Sequence, residues 1–132
     1  MKRLKGFLTI FLSALFISSC ASGGGDNTTA TYRQITMDEA VKMMKTEKDY
    51  IILDVRRADE FAEGRIPGAI NYANEDIGSD DIPLLPNKDQ LILVYCRSGR
   101  RSKEAAEKLV KLGYTNIVEF GGILDWTGEI EK

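Results

Sequence analysis

Cys96 opens the run Cys96-Arg97-Ser98-Gly99-Arg100-Arg101, which gathers one thiol, one glycine and three guanidinium groups into six residues. The thiolate, not the thiol, is the nucleophile of cysteine chemistry, and nearby cations and exposed backbone N–H groups favour it. The ordinary alternative is a cysteine acting as a small buried hydrophobe. Three arginines and a glycine are poor neighbours for that role, because guanidinium groups are costly to bury. The chain has no histidine and only two cysteines. Cys-His dyads and Ser-His-Asp triads are therefore excluded, and most zinc sites with them. Whatever Cys96 does, it does without imidazole, and neither metal nor other cofactor is expected.

The elements around this run decide where the thiol points. Leu91 to Tyr95 is an apolar run with the character of a strand buried on both faces, and Tyr50 to Val55 has the same character. Ile117 to Phe120 is a third candidate strand and Ala69-Ile70-Asn71 a brief fourth. Thr36 and Glu39 have capping-box spacing, and Met37, Ala40, Val41 and Met44 share a helical face, which predicts a helix from about Met37 to Lys45. A second helix begins near Arg101, carries Ala105, Ala106, Leu109 and Val110 on its apolar stripe and ends at Gly113. On its outer side Glu104/Lys108 and Glu107/Lys111 have the spacing of favourable i,i+4 pairs. Strands alternating with helices predict an α/β fold, an open and mainly parallel sheet with helices on both faces. Reactive groups in such sheets lie beyond the carboxyl ends of the strands, and Cys96 has that position, just before a helix N-terminus.

The loop resembles the active-site loop of rhodanese domains, in which a cysteine opens six residues and an arginine often closes them. Other segments are similar in the same order. These are Asp54-Val55-Arg56 with Glu60-Phe61, then Gly64-Arg65-Ile66-Pro67-Gly68-Ala69-Ile70-Asn71, then Gly121-Gly122 with Trp126. Together they span roughly residues 33 to 127. Arg65 departs from the family, which commonly has histidine there. The resemblance implies a sulfurtransferase: the Cys96 thiolate takes a sulfane sulfur from a small anionic donor such as thiosulfate, and the persulfide hands it to a thiol or protein acceptor. Main-chain N–H groups from Arg97 to Arg101, through Ser98, Gly99 and Arg100, would cradle the charged sulfur as an oxyanion hole holds oxygen, with Arg97 and Arg101 guiding the donor. Asp54 and Arg56 read as supporting residues, in an ion-pair network that fixes the sheet-end loop, with Glu60 as a partner for Arg56; participation at the site mouth is the other reading. Gly121-Gly122 reads as a close backbone approach beneath the site, and Trp126 as core packing.

Two rivals are separable. A cysteine phosphatase or arsenate reductase also sets its cysteine before a helix, but the phosphatase loop needs an arginine six positions on, and Ser102 stands there. A noncatalytic rhodanese-like interaction module at the cell envelope is the alternative from another class; the retained cysteine and loop arginines weigh against it.

The amino terminus carries a different signal. Lys2, Arg3 and Lys5 precede an apolar stretch from Phe7 to Ile17. A helix of that length covers roughly 16 Å against a hydrocarbon core of roughly 30 Å, so it suits a signal peptide better than an anchor. Ile17-Ser18-Ser19-Cys20 then resembles the lipobox of bacterial lipoproteins, although cleavage after Ala21 by an ordinary signal peptidase would also fit. The expected organisation is a signal peptide over 1–19, a lipidated Cys20 with a glycine-rich tether over 20–31 and one rhodanese domain over 32–132. The protein would then be lipid-anchored in a bacterial cell envelope, on the extracytoplasmic side. With 18 basic and 20 acidic side chains the chain is slightly acidic, and loss of the leader makes it more so. Nucleic-acid binding is not expected of such a chain.

Overall fold

The computed structural model describes residues 31–132. The signal segment, Cys20 and all of the tether except Thr31 lie outside the described residues. Five parallel strands form one sheet in the order β1-β5-β4-β2-β3. They are β1 (Arg33–Gln34), β2 (Tyr50–Asp54), β3 (Ile70–Asn71), β4 (Leu91–Cys96) and β5 (Ile117–Gly122), with helices α1 (Met37–Thr46), α2 (Ala58–Glu63) and α3 (Arg100–Lys111). β4, which ends in Cys96, is the central strand, paired with β2 on one side and β5 on the other.

Alternation along each strand sends its side chains to two separate cores. Leu53, Ile92, Val94, Cys96 and Ile117 pack with Ala105, Ala106 and Leu109 of α3. Ile52, Leu93, Tyr95, Val118 and Phe120 pack with Ala40, Met43 and Met44 of α1 and Phe61 of α2. A parallel sheet covered on both faces explains why β2 and β4 are apolar in almost every position. Helices therefore lie on both faces, as the alternating pattern predicts.

Local chemistry sets the helix ends. Thr36 Oγ1 accepts the Glu39 N–H at 3.2 Å while Glu39 Oε2 accepts the Thr36 N–H at 2.8 Å, a complete capping box. At the end of α3, the N–H groups of Gly113 and Tyr114 return to the carbonyls of Val110 and Leu109, a Schellman closure. The outer face of α3 differs from expectation. Glu104 pairs with Arg100 at 3.0 Å and accepts from Asn74, and Lys108 donates to Asn74. The long connection from β3 to β4 packs against α3 there and supplies better partners than the next helical turn. Among the described residues no helix is long and apolar enough to cross a membrane.

One irregularity positions the site. Val94 pairs with Glu119, but two residues on Cys96 pairs with Gly122, so β5 carries one extra residue at the carboxyl edge of the sheet. The bulge brings Gly122 directly beneath the loop that follows Cys96. A Cβ on Gly122 would collide with the Arg97 carbonyl and the Ser98 nitrogen. Gly122→Ala is therefore expected to lower stability by about 1–3 kcal/mol in urea denaturation and to displace the loop. Unchanged stability would show that the loop does not rest on this strand.

Candidate active site

The backbone turns from β4 into α3 through Arg97, Ser98 and Gly99. Gly99 is the N-cap of α3 with φ 108°, a conformation that side-chain-bearing residues rarely adopt. This turn aims the Gly99 N–H at Cys96 Sγ, 3.0 Å away. Of the main-chain donors expected between Arg97 and Arg101, Gly99 is the one that reaches the sulfur. Cys96 is the last residue of β4, and α3 starts at Arg100, one residue earlier than its apolar stripe suggests. The sulfur thus lies at the N-terminal end of a twelve-residue helix. Cys96 is completely buried, on the α3 face of the sheet, beneath the loop and not upon it.

A cleft of about 640 Å³ opens in front of the loop. Arg56, Arg57, Arg97, Arg100 and Arg101 line it together with Glu60, Glu63 and Glu75, and Ile123 and Leu124 form an apolar border. Most of these guanidinium groups are already engaged. Arg101 meets both oxygens of Glu60, at 2.7 and 3.1 Å, Arg100 pairs with Glu104 and Arg57 with Asp59. Arg97 is exposed and forms no ion pair within the described residues. The hydrogen bonds from Arg101 hold the Glu60 carboxyl below its ordinary range against the opposing effect of desolvation. Reciprocally, Glu60 raises Arg101.

Asp54 and Arg56 form a buried pair. Arg56 Nη2 lies 2.7 Å from Asp54 Oδ2, and its Nε is 3.0 Å from both carboxylate oxygens. The Arg56 amide donates to Oδ1 and Nη2 also reaches the Gly64 carbonyl. Tyr95, from the neighbouring strand, donates its hydroxyl to Asp54 Oδ2 at 2.7 Å and accepts the Ile66 N–H. Burial, followed by the charge of Asp54, pushes the Tyr95 hydroxyl far above its ordinary value. The sequence pattern suggests Glu60 as the partner of Arg56. The structure corrects this: a carboxylate two residues away at the sheet end satisfies Arg56 without crossing the loop, and Glu60 turns to Arg101. Arg56 nonetheless borders the cleft, so the network fixes the floor of the mouth. Arg65, where histidine is the common residue, pairs with Glu131 at 2.9 Å and covers the Phe61 ring.

Two site residues carried no role in the sequence reading. Ser102, the third residue of α3, places Oγ 3.5 Å from Cys96 Sγ and 2.6 Å from Glu119 Oε1. Glu119 is almost wholly buried in β5, and the Gly121 N–H donates to it at 2.8 Å. A lone acid within the apolar run Ile117-Val118-Glu119-Phe120 was the available signal, since a buried strand retains a charge only where partners receive it. Glu60 appeared in the sequence pattern, but its partner is 41 positions away.

The rhodanese-like domain family matches residues 36–129. Over 96 residues the chain is 31% identical to a sulfurtransferase of Allochromatium vinosum, covering 70% of this chain and 86% of that protein. It is 33% identical over 73 residues to the thiosulfate sulfurtransferase PspE of Escherichia coli, covering 55% of this chain and 70% of that protein. A solved structure described as a rhodanese with anions from E. coli is similar with a TM-score of 0.57 and 30% identity, over 63% of this chain and 98% of that one.

The Glu60–Arg101 pair predicts an acid-sensitive mouth. A carboxyl lowered in the folded state contributes stability above its unfolded value, roughly 4.3, and loses it as pH falls through the lower folded value. Glu60→Gln is expected to cost about 1 kcal/mol at neutral pH and to remove part of the stability lost on acidification to about pH 3. Parallel losses in both proteins, read from urea midpoints, would contradict the pairing.

Proposed function

Because this chain belongs to the rhodanese-like domain family, we propose that it is a sulfurtransferase that carries sulfane sulfur as a persulfide on Cys96. The observation that carries this reading is the Gly99 N–H directed at Cys96 Sγ at the N-terminus of α3, behind an arginine-lined cleft. A donor N–H and a helix terminus both favour negative charge on sulfur.

In the proposed cycle the Cys96 thiolate attacks the outer sulfur of a thiosulfate-like donor. A new S–S bond forms, the donor's own S–S bond breaks, and sulfite leaves with the electron pair. An acceptor thiolate then takes the outer sulfur and Cys96 leaves as thiolate, so the cycle closes without an external oxidant or reductant. Arg97 attracts the anionic donor, and Arg101, held in place by Glu60, shapes the mouth. Asp54 and Arg56 act from below, as a rigid floor. Loop amides from Arg97 to Arg101 receive the outer persulfide sulfur once it stands beyond Sγ.

The full chain fits an envelope assignment. We propose that residues 1–19 are a signal peptide, that Cys20 is lipidated and that 20–31 tether the domain at 32–132 to the extracytoplasmic face of a bacterial membrane. The basic residues, the apolar stretch and Ile17-Ser18-Ser19-Cys20 support this. Acylation of Cys20 would leave Cys96 with no internal thiol to resolve its persulfide, so the sulfur must pass to another molecule. Complete burial of Cys96 favours the second reading, a rhodanese-like module that binds a partner at the envelope without catalysis.

Protein recovered from membranes, loaded with thiosulfate and treated with cyanide separates these readings. The expected result is one releasable sulfur per chain, lost in Cys96→Ser, with an intact mass showing a lipid on Cys20. No releasable sulfur in the unaltered protein would overturn the enzymatic reading in favour of the module, and an unlipidated chain would overturn the anchor.

A further inference from the structure

The proposed cycle uses Cys96 and the groups in front of it, but a buried carboxylate stands behind the sulfur. Glu119 is 2% exposed and pairs with no cation among the described residues. Its Oε1 lies 2.6 Å from Ser102 Oγ and 2.8 Å from the Gly121 nitrogen, and the Gln34 amide approaches Oε2 at 3.4 Å. A carboxylate kept in the interior by neutral donors alone is costly, and some partner must share its charge or its proton.

Ser102 connects it to the nucleophile. Four groups surround Ser102 Oγ: Glu119 Oε1 at 2.6 Å, the Gly99 carbonyl at 3.0 Å, the Gly121 carbonyl at 3.3 Å and Cys96 Sγ at 3.5 Å. A hydroxyl has one proton to donate and two lone pairs to offer. If Glu119 is ionised it takes that proton, and Oγ turns a lone pair to the sulfur, which suits a thiol. If Glu119 is protonated it donates to Oγ, and the serine proton is free to face a thiolate. Both arrangements carry one negative charge. Ionising both groups would place two anions around one hydroxyl in the interior, which like-charge repulsion and desolvation oppose.

We propose that Glu119 is the internal proton acceptor for Cys96, acting through Ser102. In the transfer the S–H bond breaks, Ser102 Oγ takes that proton and passes its own to Glu119 Oε1. The result is a thiolate beside the Gly99 N–H and an un-ionised carboxyl behind it, with atoms and charge conserved. Glu119 touches neither donor nor acceptor and is a positioning residue in this sense. It fills the role that imidazole has in other cysteine sites, in a chain that has no histidine. Other charged or titratable groups face the cluster from its margins. Arg101 acts on Cys96 from the mouth, Tyr32 lies near Glu119 from the β1 side, and Glu39, Lys103 and Asp125 border a groove that Glu119 shares.

The proposal rests on the reading of Cys96 as a thiolate nucleophile and is tested separately from it. Infrared spectra of the full chain at neutral pH should contain the carbonyl band of an un-ionised carboxyl. That band should be missing in Glu119→Gln. It should also be missing in Cys96→Ser, where a neutral hydroxyl replaces sulfur and the single negative charge can reside only on Glu119. If either variant fails to fold, alkylation of Cys96 in the unaltered protein by iodoacetamide gives the same comparison, because a thioether cannot carry the charge. A carboxyl band insensitive to Cys96, or no such band while Cys96 still alkylates rapidly, overturns the relay and leaves the sulfurtransferase reading standing. A Cys96 whose alkylation rate rises tenfold per pH unit through neutral pH removes the thiolate premise, and the relay falls with it.

Discussion

A negatively charged sulfur inside a protein needs a donor that cannot turn away, and the Gly99 N–H is fixed by the backbone in that position. Its direction depends on the left-handed turn at Gly99, which in turn depends on α3 starting at Arg100 and on the loop resting against Gly122. The bulge in β5 brings Gly122 there. Every element near the site therefore bears on a 3.0 Å contact between one amide and one sulfur.

The arginines divide into two kinds of work. Arg56 is locked to Asp54 at the sheet end and Arg101 to Glu60 across the mouth, so their charges are largely spent on holding the shape of the loop. Arg97 keeps its charge for whatever enters. This division makes the cleft less basic than its five guanidinium groups suggest.

Much of the scaffold was legible because it follows from local pattern. The apolar runs at Tyr50, Leu91 and Ile117 became the three central strands, Thr36 and Glu39 capped α1, and Gly113 closed α3. The two-residue edge strand β1 and the short helix α2 carry too few apolar positions to announce themselves. Long-range partners were not legible. Arg56 found Asp54 instead of Glu60, Glu104 and Lys108 found Asn74 instead of each other, and Glu60 crossed to Arg101. Periodicity places a side chain on a face, but only the fold decides which carboxylate waits there. Burial of Cys96 belongs to the same class, since the loop pattern leads one to expect a reactive cysteine but the tertiary packing sets its depth.

The proposed chemistry depends above all on the charge state of one sulfur, and the pH dependence of its alkylation reports that state whatever its depth. Modification of Cys96 by iodoacetamide, followed on the Cys96-containing peptide so that Cys20 does not contribute, should exceed the rate of free cysteine at neutral pH and change little from there toward moderate alkalinity. A rate no greater than that of free cysteine, rising tenfold per unit through neutral pH, would contradict it.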